Sequence, residues 1–431
     1  MFSAPGKAFL AGGYLVLDPK YRAFVVALSS RMYAHAEIVS EGGDTTEISV
    51  RSPQFLEGDW TYKVDLSRPT QSQEVHGRKN PFIKATLDII LLYLSPKVNK
   101  SIVITIFSDA GYHSQTNSVP KTSESGKRTF RYHSQPITEV SKTGLGSSAG
   151  LVASLTAALL SCYVETLDVK NDATLNQIHN LAQISHCLAQ GKIGSGFDVA
   201  SATFGSIVYR RFDPELVNKV IETWDREYLV NLVDNVDWKI EISKCALPSG
   251  VKLLMGDIVG GSETPKLVSK VLSWRKENAS RSLEVWETLN KNNMSLVSGL
   301  ERLQTMSKEQ PETYKLLLQS LVAGNKSGFQ DVVSSIQGIR KYLKIMTQES
   351  GAEIEPDQQT KLLDYCMSLD GVLGGVVPGA GGYDAVCLLV AEDSIPQVIE
   401  NTQNHSVTWL DLREQELGLR QEDVSEFSGL F

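Results

Sequence analysis

The sequence predicts a two-domain α+β protein. Its 431 residues exceed the size of one ordinary compact core, so we expect two domains, placed at residues 1–230 and 231–431. Strand-like and helix-like patterns interleave in the first half. In the second half, a long helical stretch precedes further strands and a helix, which is typical of an α+β half with a helical insertion.

In the first half, apolar and β-branched segments predict strands at 24–39, 102–107 and 206–212. Asn80-Pro81 precedes a helix whose apolar positions 83, 87, 90, 91 and 94 share one face.

A second amphipathic helix covers residues 177–190 and carries His179 and His186. No carboxylate or third histidine completes a metal set there, so both are interpreted as structural. The polar segment 109–136, in which the tetrapeptide Tyr-His-Ser-Gln occurs twice, predicts a hairpin or a mobile flap.

In the second half, residues 263–349 are mostly helical, with few glycines and one interior proline at Pro311. The remaining expected elements are strands at 251–258, 372–377, 384–390 and 407–412 and a helix at 394–402.

The composition describes an ordinary globular chain, with 42% hydrophobic and 21% charged residues. The formal charge is 42 − 50 = −8. A net negative charge argues against nucleic acid or an anionic membrane as a partner, since both attract basic surfaces. An anionic small-molecule substrate must therefore be captured by local cations.

Five cysteines occur at scattered positions with no C-x-x-C pair, which favours free thiols over a disulfide framework or a zinc site. The first residues carry no basic-then-apolar signal, and no apolar run approaches about 20 residues. These features predict a cytoplasmic protein. They do not distinguish a monomer from a homodimer.

The most informative segment is Lys-Thr-Gly-Leu-Gly-Ser-Ser-Ala-Gly at residues 142–150, which leads into the apolar residues 151–162. Its glycines allow close approach to an anion, its hydroxyls offer metal or phosphate contacts, and the following helix directs its positive dipole end to the same place. The segment lacks the spacing of G-x-x-x-x-G-K-[ST] and of G-x-G-x-x-G. It predicts a phosphate site; the alternative is a turn that only starts a buried helix.

Two further glycine-rich stretches lie at residues 4–14 (Ala-Pro-Gly-Lys-Ala-Phe-Leu-Ala-Gly-Gly-Tyr) and 378–385 (Pro-Gly-Ala-Gly-Gly-Tyr-Asp-Ala). Together with residues 142–150, they resemble the three signature motifs of the GHMP kinase superfamily of small-molecule kinases. Longer stretches extend the resemblance to the fungal type of phosphomevalonate kinase over nearly the whole chain; they lie at residues 191–200, 255–258, 261–264 and 349–356.

The resemblance implies a ribosomal-S5-like N-terminal domain and a ferredoxin-like C-terminal domain, with the active site between them. It also implies an ATP- and Mg²⁺-dependent kinase that phosphorylates 5-phosphomevalonate. Such an acceptor is already mostly a dianion at neutral pH, because the second pKa of a phosphomonoester is near 6. The chemical problem is then charge repulsion, roughly 4 kcal/mol for one pair of unit charges about 4 Å apart at a dielectric constant of 20.

Lys7 is accordingly predicted to be the main electrostatic catalyst, in a loop that follows Pro5-Gly6. Asp198 matches the active-site aspartate of the superfamily, and we expect it to orient Lys7 and the acceptor or to assist Mg²⁺ binding rather than to act as an obligatory base. The alternatives are a solvated lysine and a helix-capping aspartate.

By the same resemblance, the backbone of residues 144–149 holds the β- and γ-phosphates of ATP, and Ser148 reaches Mg²⁺. The residues expected to contact the nucleotide are Lys142, Gly144, Leu145, Gly146, Ser147, Ser148, Ala149, Asn80, Ser108, Gly379 and Gly381.

Lysine and hydroxyl side chains near residues 192 and 262–266 are candidates to bind the phosphate of the acceptor. Residues near 13 and 195 are candidates to contact its carboxylate end. The residues expected to contact the acceptor are Gly13, Tyr14, Lys192, Ser195, Gly196, Ser262, Thr264 and Lys266.

Two alternatives remain open at the level of the sequence. Mevalonate kinase, homoserine kinase and diphosphomevalonate decarboxylase share the superfamily motifs, and a fold alone does not specify a substrate. A catalytically silent relative is the other alternative, although it would be expected to have lost Lys7 or Asp198, and both are present.

Overall fold

The computed structural model describes residues 1–66, 71–258 and 260–431. Strands and helices interleave through its first part. The elements there are β1 (Phe2–Ala11), β2 (Ala23–Glu41), β3 (Thr46–Arg51), β4 (Asp59–Val64), β5 (Gln73–His76), α1 (Pro81–Leu94), β6 (Lys100–Ser108), β7 (Ser118–Thr122), β8 (Thr129–His133), α2 (Ser147–Leu160), α3 (Asp172–Gln190), α4 (Phe197–Phe204), β9 (Ile207–Arg210), α5 (Glu215–Thr223), α6 (Arg226–Asp234) and β10 (Glu241–Lys244).

The second part is mainly helical between its first and second strands. Its elements are β11 (Val251–Asp257), α7 (Thr264–Glu277), α8 (Ala279–Glu309), α9 (Pro311–Val322), α10 (Gln330–Ser350), α11 (Asp357–Ser368), β12 (Val372–Val376), β13 (Ala385–Ala391), α12 (Ile395–Asn401), β14 (Thr408–Trp409), β15 (Glu414–Gln415) and β16 (Arg420–Gln421).

The larger sheet has the strand order β10-β9-β2-β6-β3-β4-β5, and β1, β15 and β16 attach at β2 and β1. Strands β3 and β6 run parallel, and the other pairs of this sheet are antiparallel. Helices α2 and α4 pack on β1 and β2, and α1 and α3 pack against α2. This layering places the start of α2 beside the middle of β1.

The smaller sheet is antiparallel, with the order β12-β13-β11-β14. Helices α10 and α11 pack on β12, and α8 packs along α10. The two halves share one apolar core; for example, the rings of Tyr21 and Trp286 lie 5.8 Å apart at their centroids. No helix of the described residues is long and apolar enough to cross a membrane.

The α+β class is confirmed, and most expected elements occur at their expected positions. Asn80 caps α1, since its Oδ1 accepts the Ile83 N–H at 3.3 Å, and Pro81 is the first residue of that helix. The expected helical region 263–349 consists of α7, α8, α9 and α10.

The expectation of a loop around Lys7 is wrong. Phe2–Ala11 is a strand that pairs with β2, and its register shifts between Pro5 and Lys7 and again between Phe9 and Ala11. Such bulges accommodate the proline and the glycine without ending the strand. Lys7 is therefore held by the rigid sheet.

Segment 109–136 contains a hairpin, β7–β8, as one of the two interpretations predicted. Its tip lies on a segment from near the other end of the chain, where the Nη2 of Arg128 lies 3.0 Å from Oε2 of Glu422 and 2.8 Å from Oε2 of Glu426.

The two sheets do not divide the chain at residue 230. Strand β10 pairs with β9, and β15 and β16 return to β2 and β1. The return is anchored by Arg31, which is 1% exposed and donates to the carbonyl oxygens of Ser3 at 2.9 Å and Gly418 at 2.5 Å. The division into domains at 1–230 and 231–431 stays a prediction.

Candidate active site

Residues 142–149, named here the phosphate loop, end in the first turn of α2. Gly144 and Gly146 have φ values of 74° and 79°, in the left-handed region that favours glycine. The N–H groups of the first turn of a helix have no partner within that helix. Those of Ser147, Ser148 and Ala149 therefore supply donors for an anion, together with the positive end of the helix dipole.

The phosphate loop is held from two sides. Thr143 Oγ1 donates to the carbonyl oxygen of Gly111 at 2.5 Å. The backbone N–H of Lys7 donates to the carbonyl oxygen of Leu145 at 2.9 Å, and the Leu145 side chain is buried. These bonds shape the loop in advance of any ligand.

Lys7 also crosses the phosphate loop with its side chain. Its Nζ donates to the carbonyl oxygen of Gly144 at 3.1 Å, and its Cε lies 3.2 Å from where a Cβ on Gly146 would be. Burial lowers the pKa of Lys7, and the carboxylate of Asp198 opposes that shift. The ammonium group is thus fixed beside the loop.

Asp198 is the second residue of α4. Its Oδ1 accepts the N–H of Val199 at 3.0 Å, and its Oδ2 lies 3.8 Å from Nε2 of His186. Its side chain remains 22% exposed, and it lines a cavity. Gly196 is the N-cap of α4 and no side chain caps that helix, so the alternative interpretation of Asp198 as a helix cap is wrong. The carboxylate is accessible to a ligand.

The cavity that Asp198 lines, named here the large cleft, has a volume of about 920 Å³. Its walls come from both halves of the chain, principally from β1 and the residues after it, the segment 192–198 and helix α7. The predicted residues that line it are Gly13, Tyr14, Lys192, Ser195, Thr264, Asp198 and Gly379.

The first and third glycine-rich stretches meet at this cleft. The hydroxyl of Tyr14 donates to the carbonyl oxygen of Ala380 at 2.6 Å, and burial raises the pKa of Tyr14. A Cβ on Gly13 would lie only 2.7 Å from the carbonyl oxygen of Gly379. The absence of a side chain at Gly13 allows this approach.

A second cavity, named here the smaller pocket, has a volume of about 200 Å³ and lies beside the phosphate loop. Four predicted residues line it, Asn80, Lys142, Ser147 and Ser148. The aromatic residues Trp60 and Phe82 also line it, as does His113, whose pKa burial lowers to about 4. An aromatic wall with polar groups at one end suits a base that carries phosphates.

Nine predicted contact residues lie outside the walls of both cavities: Gly144, Leu145, Gly146, Ala149, Ser108, Gly196, Ser262, Lys266 and Gly381. Ser108 is buried, and its N–H donates to Oε1 of Gln54 at 2.6 Å. Ser262 accepts the N–H of Tyr383 at 2.8 Å. The side chain of Lys266 is 69% exposed, with its Nζ 3.7 Å from Oε2 of Glu263. Here Ser108 and Ser262 support the backbone, and Lys266 lies in solvent.

Two predicted glycines shape the backbone rather than a cavity wall. Gly196 has a φ of 82°, and a Cβ there would lie 2.8 Å from the hydroxyl of Tyr209. Gly381 has a φ of 80°, and its Cβ would lie 2.2 Å from the carbonyl oxygen of Ile354. Both residues have a left-handed backbone conformation, and neither position has room for a Cβ atom.

Sequence reasoning missed residues that the fold brings to these cavities. From the sequence, both His186 and His179 are interpreted as structural. The Nε2 of His186 lies 3.1 Å from Oγ of Ser148. His179 is buried and lines neither cavity, as expected. Arg211 and Arg275 line the large cleft but occur in segments without a motif. No local signal identifies these arginines, because tertiary packing alone places them.

Comparison with known proteins agrees with this architecture. The model of the GHMP kinases N terminal domain matches residues 131–206, which include the phosphate loop and Asp198. A solved structure, Streptococcus pneumoniae phosphomevalonate kinase in complex with phosphomevalonate and AMPPNP, superposes with a TM-score of 0.63 at 19% identity, covering 96% of this chain and 100% of that one. This likeness shows the GHMP kinase fold.

Relatives by sequence extend the similarity over the full length. A phosphomevalonate kinase of Candida albicans is 47% identical, covering 100% of this chain and 99% of the relative. A peroxisomal phosphomevalonate kinase of Arabidopsis thaliana is 30% identical, covering 97% and 95%. From the shared fold and this full-length identity, we conclude that the chain belongs to the phosphomevalonate kinase family.

Proposed function

We propose that this protein transfers the γ-phosphoryl group of ATP to (R)-5-phosphomevalonate, giving (R)-5-diphosphomevalonate and ADP, as a step of the mevalonate pathway. Full-length identity with phosphomevalonate kinases supports the choice of acceptor. The main structural support for phosphoryl transfer is the position of Lys7. Its Nζ contacts the phosphate loop, and Asp198 lines the adjoining large cleft.

The nucleotide is proposed to bind with its base in the smaller pocket and its phosphates on the phosphate loop. Backbone N–H groups from Gly144 to Ala149 and the dipole of α2 favour the β- and γ-phosphates. Lys142, at the edge of the smaller pocket, adds a positive charge. The anchoring of the loop by Lys7 and Thr143 reduces the reorganisation needed on binding.

Transfer to a phosphate acceptor is mainly an electrostatic problem. The acceptor is already deprotonated, so the protein must offset repulsion between two anions rather than remove a proton. Lys7 is proposed to stand between donor and acceptor, where its fixed ammonium group costs little to orient. The carboxylate of Asp198 opposes the lowering of the Lys7 pKa by burial, which is consistent with an orienting role.

Magnesium fits the donor set at the start of α2. Ser148 supplies a hydroxyl at the edge of the smaller pocket, and no cluster of three or more acidic, histidine or cysteine side chains suited to a metal occurs in the described part of the chain. Mg²⁺ is commonly held by few protein oxygens together with substrate phosphates. When bound, it neutralises charge that develops on the transferred phosphoryl group. Ser148 is the residue proposed to hold it.

The acceptor is proposed to occupy the large cleft. Arg211 and Arg275 are already bonded there: Arg211 donates to the carbonyl oxygen of Gly194 at 2.9 Å, and Arg275 lies 2.5 Å from Oδ2 of Asp18. Lys192 and Lys276 also line the cleft, and neither forms an ion pair within the described residues. Of the two, Lys192 belongs to the family-like stretch 191–200, so we assign the phosphate of the acceptor to Lys192 and Thr264, and its carboxylate end to Gly13, Tyr14 and Ser195.

The proposal is tested by ADP release with Mg-ATP and a panel of acceptors: 5-phosphomevalonate, mevalonate, homoserine and galactose. Turnover with 5-phosphomevalonate alone is expected. Turnover with mevalonate instead would keep the phosphate loop assignment and overturn the acceptor, and Asp198 would then be needed as a general base. Absence of acceptor-dependent ADP release would contradict an enzymatic function.

The cytoplasm is proposed as the compartment because all five cysteines are buried free thiols. Fractionation of cells that express the protein, with an organelle marker beside it, tests this point. Co-sedimentation with a peroxisomal marker would overturn it.

A further inference from the structure

His186 lies in the wall between the two cavities. It is 2% exposed, lines the large cleft and belongs to α3. Its ring centroid is 5.5 Å from that of Phe82, which lines the smaller pocket. A buried imidazole thus stands where the nucleotide side and the acceptor side of the site meet.

Three polar groups surround one nitrogen of this ring. The Nε2 of His186 lies 3.1 Å from Oγ of Ser148, 3.4 Å from the amide nitrogen of Gln190 and 3.8 Å from Oδ2 of Asp198. An amide nitrogen only donates hydrogen bonds. The carboxylate of Asp198 lies beyond hydrogen-bond distance of Nε2, so the nearer amide group favours the tautomer in which Nε2 is an acceptor and Nδ1 carries the proton.

Resting on the function proposed above, we propose that His186 is a positioning residue for phosphoryl transfer. Its Nε2 accepts the proton of the Ser148 hydroxyl. A hydroxyl has one proton and two lone pairs, so a proton bound to His186 leaves the lone pairs of Oγ for a cation at the phosphate loop. Partners that orient a metal ligand in this way affect metal affinity strongly.

The same ring separates two functional groups. Nε2 lies between the hydroxyl of Ser148, on the nucleotide side, and the carboxylate of Asp198, on the acceptor side. Packing by Phe82 restricts how the ring can turn. Loss of the imidazole therefore frees the hydroxyl of Ser148, whereas Asp198 keeps the hydrogen bond that it accepts from the N–H of Val199.

Calorimetry of nucleotide binding tests the role without any acceptor. The titrants are Mg-ADP and Mg²⁺-free ADP, and the proteins are the wild type, H186L and H186Q. We expect H186L to weaken Mg-ADP binding roughly 10- to 100-fold while Mg²⁺-free ADP binds nearly as before. H186Q, whose amide oxygen accepts the same proton, is expected to recover most of the Mg-ADP affinity.

The matched control is H179L, on the same helix. His179 is equally buried but contacts Asn180, Phe204 and Trp238 rather than the cavities. H179L is expected to lower the melting temperature with Mg-ADP affinity unchanged. If H186L does not fold, H186M replaces it, because Met is of similar size and only a weak acceptor.

A double-mutant cycle with S148A decides whether His186 acts through Ser148. The loss from H186L should nearly vanish when Ser148 is already Ala. Equal Mg-ADP affinity of H186L and wild type, or losses that multiply independently, would overturn the inference. Since the titrations contain no acceptor, an error in the acceptor would appear in the ADP-release panel and leave this result unaffected.

Discussion

The ammonium group of Lys7 lies 3.1 Å from the carbonyl oxygen of Gly144, while the backbone N–H of Lys7 binds the carbonyl oxygen of Leu145 at 2.9 Å. One strand residue therefore both shapes the phosphate loop and places a positive charge beside it. A loop residue would do neither as rigidly, since strand β1 is paired along its length with β2.

Replacement of Lys7 by Ala is expected to lower kcat by roughly 10²- to 10³-fold, the usual range for loss of a fixed electrostatic contact in a transition state. Asp198→Asn should lose less activity, because the acceptor needs no general base. Steady-state ADP release at saturating Mg-ATP measures both. The opposite ranking would contradict an electrostatic role for Lys7 and favour proton abstraction by Asp198.

Gly146→Ala is expected to damage both stability and catalysis. Its φ of 79° costs an L-residue about 1–2 kcal/mol, and the added Cβ would lie 3.2 Å from Cε of Lys7. Gly351→Ala is the matched control, since its φ is 68° and a Cβ there meets no atom within 4 Å. Urea unfolding should show similar destabilisation of both variants, whereas kcat should fall only for Gly146→Ala. Equal activity of the two variants would contradict the contact with Lys7.

Tyr14→Phe should raise the KM for the acceptor. It removes the hydroxyl that joins Tyr14 to Ala380 across the large cleft, with a loss of about 1 kcal/mol of stability. Tyr314→Phe is the control, because it removes a comparable bond, from its hydroxyl to the carbonyl oxygen of Ser249 at 2.7 Å, away from the cleft. The two variants should melt alike, and only Tyr14→Phe should change the KM. A KM change in Tyr314→Phe as well would indicate a general loosening.

The buried carboxyl of Asp109 is expected to make the stability of the folded protein depend on pH. Burial raises the pKa of its carboxyl to about 6, despite the hydrogen bonds it accepts from the Arg31 N–H and the Tyr33 hydroxyl. A carboxyl whose pKa is higher in the folded state binds more protons when folded, so stability falls as pH rises from about 4 to about 6. Asp109→Asn should therefore gain stability over the wild type across this range, by up to about 3 kcal/mol.

Thermal melts of both proteins between pH 4 and pH 7 measure this difference. The gain of the Asn variant should be absent near pH 4 and complete near pH 7. A difference that does not change with pH would show that the carboxyl is ionised at both ends of the range.

Local signals explain what the sequence predicts well. The helix at Asn80-Pro81 and the phosphate loop at residues 142–149 depend on capping, fixed φ values and glycine conformations, all of which act within a few residues. The helices α1 and α2 begin where they are expected, at Pro81 and Ser147, and the binding of phosphate by the loop stays a prediction.

Contacts between residues far apart in the chain explain which features the sequence predicts poorly. The glycine and proline of residues 4–14 indicate a loop, yet the partner strand β2 overrides that preference. His186 has an ordinary amphipathic context, and only the packing of α3 against α2 brings it to Ser148. The sequence of α3 alone carries no sign of that contact.

Strands β15 and β16 determine when the larger sheet can be completed during translation. Because they pair with β2 and β1 and Arg31 is buried against Gly418, the ribosome must translate about 400 further codons before β1 gains its second neighbour. Until then, a nascent chain exposes an open strand edge, which can bind chaperones or pair with another chain. A gene split between the two halves would therefore yield fragments that each lack part of one shared sheet.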